Sequence, residues 1–180
     1  MSLTTLDIKE PGLNILPPGV ERHVVNAGGL TGLQIFPDDE IEIINDEGNQ
    51  ICEIICFDKD GKSELAILNL KENSNKSFIK EILKKKDESS LATNFQLKKR
   101  NLDLNKSHSS ILFDEKTPSG EKIKLKSKDK CYVIFSAPQN DMLVSEQNPS
   151  GDLILFIKRA KITNDKELSI IPDPVFEPHY

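Results

Sequence analysis

The segment from Gln50 to Phe57 constrains this chain more than any other, because it offers no polar face. In an extended strand the side chains alternate sides, so Ile51, Glu53, Ile55 and Phe57 lie on one side and Cys52, Ile54 and Cys56 on the other. Both sides are largely apolar. That pattern predicts a central strand covered above and below, as in a barrel or a sandwich, and it makes Glu53 a lone charge in apolar company.

Similar short runs recur between turn signals: Arg22 to Asn26, Thr31 to Phe36, Glu40 to Ile44, Ser109 to Phe113, Lys122 to Lys126, Cys131 to Ser136 and Asp152 to Lys161. Pro37-Asp38-Asp39, Asp46-Glu47-Gly48-Asn49 and Thr117-Pro118-Ser119-Gly120 read as turns. Connections this short join antiparallel neighbours, so the runs predict a meander. Residues 71–90 differ. Phe78, Ile79, Ile82 and Leu83 recur at helical spacing after the capping candidates Asn73-Ser74-Asn75, which predicts a helix of about three turns with Lys84, Lys85 and Lys86 in its last turn. Residues 89–106 fit either a second short helix or a strand. The fold expected is mainly β, an antiparallel β barrel or sandwich with one helical insertion.

At 180 residues a single domain is the default. Its boundaries are read as an extended, Pro-rich lead-in over 1–18, a β-rich domain over 19–165 and a Pro-rich junction over 166–180. The net charge of −5 argues against a nucleic-acid partner. Charge is uneven, with ten acidic against two basic residues over 38–64 and sixteen basic against nine acidic over 71–130. Of the 24 basic residues only Arg22, Arg100 and Arg159 are arginines, a lysine bias more readily laid to codon usage than to function. The longest apolar runs fall well short of the roughly 20 residues of a membrane helix. Three cysteines in apolar settings and a start without a basic and apolar leader point to a cytoplasmic protein with reduced thiols.

Tests for chemistry return little. Cys52 and Cys56 on one strand lie about 13 Å apart, too far to share a zinc ion, so no metal site is expected. Ser107-His108-Ser109-Ser110 lacks the elbow that would activate a nucleophile, and no phosphate-binding loop occurs. No catalytic residue is assigned. Acid–base work could draw on Glu53, whose setting would raise its pKa, or on Asp38 and Asp39; a structural role for Glu53, bonding nearby backbone, is the simpler reading. The alternation of Lys122, Lys124, Lys126, Lys128 and Lys130 with Ile123, Leu125, Ser127 and Asp129 describes a strand with its lysines in water, a pattern that deters edge-to-edge pairing. An acidic partner docking there would bind in a salt-sensitive way.

The stretch from Arg22 to Gly29, followed by Asp39 to Gln50, resembles the start of the urea carboxylase-associated domain family, with Glu53-Ile54 standing where that family has Asp-Phe. The tail Ile171-Pro172-Asp173-Pro174-Val175-Phe176-Glu177-Pro178 is similar to a junction in long proteins related to the glycine cleavage T-protein, an aminomethyltransferase. The resemblance implies a non-catalytic N-terminal accessory module of a tetrahydrofolate-dependent one-carbon transferase, with no cofactor in this chain and the downstream domains of the same polypeptide as its partners. A chain stopping inside such a junction would be an excised fragment. The alternative it implies is a free-standing urea carboxylase-associated binding domain or small enzyme for a nitrogenous metabolite. Asp46, Asn49, Gln50 and Glu53 would then border a small-molecule pocket, and Glu53→Gln would weaken binding without harming the fold.

Overall fold

The computed structural model describes residues 16–74, 77–139 and 151–161. Most of the lead-in and the whole 166–180 junction, with its Pro-Asp-Pro tail, lie outside these residues. Among the described residues there are eight strands: β1 Val20–Val25, β2 Leu30–Ile35, β3 Glu40–Asn45, β4 Cys52–Asp58, β5 Ser109–Leu112, β6 Glu121–Lys126, β7 Cys131–Ser136 and β8 Leu153–Lys158. Two helices, α1 Phe78–Leu83 and α2 Glu88–Lys99, lie between β4 and β5. The strands form two four-stranded antiparallel sheets, ordered β1-β8-β3-β6 and β2-β7-β4-β5. This is the strand order of a double-sheet jelly roll. The sheets do not close on each other, so the molecule is a sandwich and not a barrel.

The expected runs all appear as strands, but they do not form a meander. β1 pairs with β8 and β2 with β7, and most connections cross from one sheet to the other. Short turns constrain where the chain reverses without saying which strand lies alongside. Here each strand places its inward side chains against the opposite sheet, and all connections but that from β4 to β5 cross between the sheets.

β4 is covered on both sides, as its sequence requires. Cys52, Ile54 and Cys56 point between the sheets, with Ile43, Phe135 and Leu155 in the same buried cluster. Ile55 and Phe57 point outward into a second cluster with Ile79, Ile82 and Leu97 of the helices. Each such side chain removed from water contributes about 1.5–3 kcal/mol, so the insertion completes the core.

The insertion departs from the expected three-turn helix. Ser77, not the Asn73-Ser74-Asn75 stretch, caps α1, its hydroxyl accepting from Lys80 N at 3.3 Å. α1 stops at Leu83, and Lys84–Lys86 lie in the link to α2. Asp87 caps α2 through a 2.9 Å bond from Ser90 N, which holds its carboxyl below the usual range. The ambiguous 89–106 stretch is therefore helical as far as Lys99. Asn73 serves elsewhere: its side chain donates to Ile111 O at 3.0 Å and accepts from Ile111 N at 2.6 Å, covering the free edge of β5 like a surrogate strand. The lysine-bearing strand β6 does form the edge of its sheet. No helix among the described residues is long and apolar enough to cross a membrane.

α2 is pinned to the sheet through Arg100, which donates to Gln34 Oε1 at 2.6 Å and lies 4.6 Å over the Tyr132 ring. Tyr132 in turn lies across Gly32 of the neighbouring strand. A Cβ at position 32 would stand 2.0 Å from the Tyr132 hydroxyl oxygen. Gly32→Ala should therefore displace the ring and loosen α2, costing about 1–3 kcal/mol in urea unfolding. An unchanged unfolding midpoint would show that the ring does not need this space.

Candidate functional site

The four residues singled out by sequence divide into two places. Asp46, Asn49 and Gln50 meet at one end of the sandwich, while Glu53 lies on the outer face of its sheet beneath α1. At the end of the sandwich the 46–49 turn locks against the 117–120 turn. Gly48 takes a φ of 79°, and a Cβ there would stand 2.7 Å from Ser119 N. Asn49 N donates to Thr117 O at 2.8 Å, and Ser119 Oγ donates to Asp46 O at 2.6 Å. Asp46 is exposed and Asn49 half-buried.

Gln50 is fully buried and joins three segments. Its Nε2 donates to Pro138 O at 2.7 Å and to Ile51 O at 2.9 Å, and its Oε1 accepts from Gly151 N at 2.8 Å. Asn45 Nδ2 donates to Gln50 O at 2.7 Å, leaving Asn45 Oδ1 buried with no hydrogen bond among the described residues. Close by, Asp152 Oδ1 accepts from Ala27 N at 2.8 Å. Gln50 thus ties together the segments at this end, which is a positioning role.

Glu53 is buried, and its Oε2 accepts from Ile79 N at 3.0 Å, so a strand residue anchors the start of α1. Oε1 has no closed hydrogen bond among the described residues. Burial raises the pKa of this carboxyl above the ordinary glutamate value, while the amides of Ile79 and Phe78 and the hydroxyls of Ser109 and Ser77 pull it back. This geometry matches the reading in which Glu53 bonds nearby backbone.

The remaining candidates are structural. Cys52, Cys56 and Cys131 are free and buried. A hydrogen bond to Cys131, together with burial, keeps Cys56 a thiol, and burial does the same for Cys52. Ser107 Oγ donates to Leu104 O at 2.6 Å, and His108 Nδ1 sits 3.0 Å from Glu72 at the surface, so that pair makes no dyad. No group of three metal-ligating side chains occurs among the described residues.

Sequence reasoning missed Arg159. Its side chain is 2% exposed, and its Nη1 donates to Asp39 Oδ2 at 2.7 Å and to Gln34 O at 2.9 Å. Its Nε and Nη2 both reach Glu21, at 2.6 and 3.2 Å. Asp39 also accepts from Phe36 N and from Ala160 N, each at 2.9 Å. Asp39, weighed as an acid–base group, is instead a closed structural anion. The available signal was the scarcity of arginine: in a chain that uses lysine nearly everywhere, two of its three arginines sit where a planar fork must meet several acceptors.

Two outcomes follow from these carboxyls. Glu53→Ala should cost about 1–3 kcal/mol by leaving the Ile79 N–H buried and unpaired, while Glu53→Gln, which keeps an acceptor, should cost clearly less. Equal losses in urea unfolding would remove the anchoring role. For Glu21, burial raises the pKa, but hydrogen bonds to His23 and Arg159 outweigh it and bring the value from 4.5 to about 2. A lowered carboxyl stabilises the fold fully above the unfolded value and loses that contribution as pH falls from about 4.5 towards 2. Glu21→Gln should flatten the stability profile in that window, and a profile parallel to wild type would contradict the assignment.

No family model matches this chain. Its sequence is 31% identical over 171 residues to the trimethylamine-oxide aldolase of Ruegeria pomeroyi, a match covering 95% of this chain and 22% of that protein. The chain spans about a fifth of the length of this curated relative. The match corrects the resemblance drawn from the 22–50 segment and the tail. The matched protein is named an aldolase, and neither the accessory module of an aminomethyltransferase-like protein nor the free-standing urea carboxylase-associated domain is supported.

Proposed function

We propose that this chain is a β-sandwich unit of an enzyme acting on trimethylamine oxide, corresponding to the part of the aldolase with which it aligns. The observation that carries this reading is the extent of the match, 95% of the chain, which takes in both sheets and the helical insertion. In this reading the other regions of the same polypeptide are its partners, and neither nucleic acid nor a membrane is. The loop end of the sandwich borders the substrate, with Asp46 and Asn49 facing it and Gln50 holding the frame. Glu53 acts at a distance by anchoring α1. Three free, buried cysteines fit a reducing, cytoplasmic setting.

The test uses the polypeptide as its gene encodes it, incubated with trimethylamine oxide while the methyl proton signal of the substrate is followed by NMR. The signal should decline with time, and no decline at any enzyme concentration would sink the proposal. Asp46→Ala should raise KM several-fold without moving Tm, because the side chain is exposed and its loop is held through backbone atoms. An unchanged KM would remove the loop end from the substrate site.

A further inference from the structure

Among the described residues β6 is an edge strand with one side of its backbone unpaired. β6 ends its sheet, and among the described residues the ladder from Lys122 to Lys126 bonds to β3 alone. The β5 edge, by contrast, is covered by Asn73. Three surface depressions border β6. One of about 450 Å³ lies on the outer face of the sheet, between Phe156, Glu40 and Lys124. The other two flank the strand, one of about 440 Å³ beside Leu68 and Leu125 and one of about 500 Å³ beside Phe113 and Ile123.

The side chains of β6 separate by face. Lys122, Lys124 and Lys126 are exposed on the outer face, where Glu42 lies 3.9 Å from Lys122 and 3.7 Å from Lys124. Ile123 and Leu125 turn inward and are half-buried, with Leu125 packed against the core between the sheets. A second copy of this edge would set lysine against lysine, which is unfavourable. An acidic strand meets the opposite situation, since its carboxylates would face lysines at the same two-residue period while its intervening side chains reach the depressions beside Ile123 and Leu125.

We propose that β6 is a strand-addition edge for an extended segment of a partner protein that carries carboxylates at every second position and aliphatic side chains between them. Backbone bonds along the edge supply affinity, and the lysines together with the two flanking depressions select the register. The edge is then guarded against its own copies by the same charges that admit the partner.

The probe is a fluorescein-labelled heptapeptide of alternating glutamate and valine, compared with a peptide of equal composition in which the four glutamates precede the three valines. With the 180-residue chain, the alternating peptide should raise anisotropy, bind more weakly as salt increases, and slow hydrogen exchange at the β6 amides that face away from β3. The variant Lys122→Thr/Lys124→Thr/Lys126→Thr keeps β-favouring residues on the strand and should weaken binding about tenfold. The proposal fails if the alternating peptide does not bind, if the block peptide binds equally well, or if binding leaves β6 exchange unchanged. All three readings use the unaltered protein and hold whether or not the triple variant folds.

Discussion

The fold depends on burying both faces of β4 and its neighbour β7. A sandwich covers one face of each sheet, and the outer face of the β2-β7-β4-β5 sheet would still expose Ile55, Phe57 and Ile134. The insertion between β4 and β5 removes them from water by packing Ile79, Ile82 and Leu97 over them. The helices are short, and their own propensity would not hold them in isolation. Their stability comes from the sheet beneath, and the outer face of the sheet depends on them in turn.

Polar groups hold these layers in register. Arg100 ties α2 to Gln34 and Tyr132, Glu53 anchors the start of α1, and Arg159 joins Glu21, Asp39 and the backbone of Gln34. Gln34 takes part in two of these links, since its side chain accepts from Arg100 while its carbonyl accepts from Arg159. A buried ion pair adds little net stability over a well-packed apolar one, but breaking it leaves an uncompensated charge. Its effect here is to set how the segment after β8 meets the 36–39 turn. Gln50 does the same at the loop end without any charge, by linking Ile51, Pro138 and Gly151.

Two kinds of sequence likeness lead to different conclusions. The Asp46-Glu47-Gly48-Asn49 signature drew the chain toward one family, yet its residues are explained by local geometry. Gly48 and Asn49 both take left-handed backbone conformations, with φ of 79° and 58°, where glycine and asparagine are favoured in any protein. A short turn motif of this kind reports conformation more than ancestry. A match over 171 residues spans both sheets and carries more weight than a turn of four residues.

Alternation and turn chemistry in the sequence were enough to locate the strands, to show that β4 is covered on both faces and to place the lysines of β6 in water. Those features depend on the period-two geometry of a strand and the φ preferences of single residues, both of which act over a few neighbours. The pairing of β1 with β8, the anchoring of α1 by Glu53 and the burial of Arg159 against Asp39 were settled only in three dimensions. They join residues 26 to 138 positions apart, and no local pattern encodes which of many compatible partners will be adjacent once the two sheets pack face to face over their shared core.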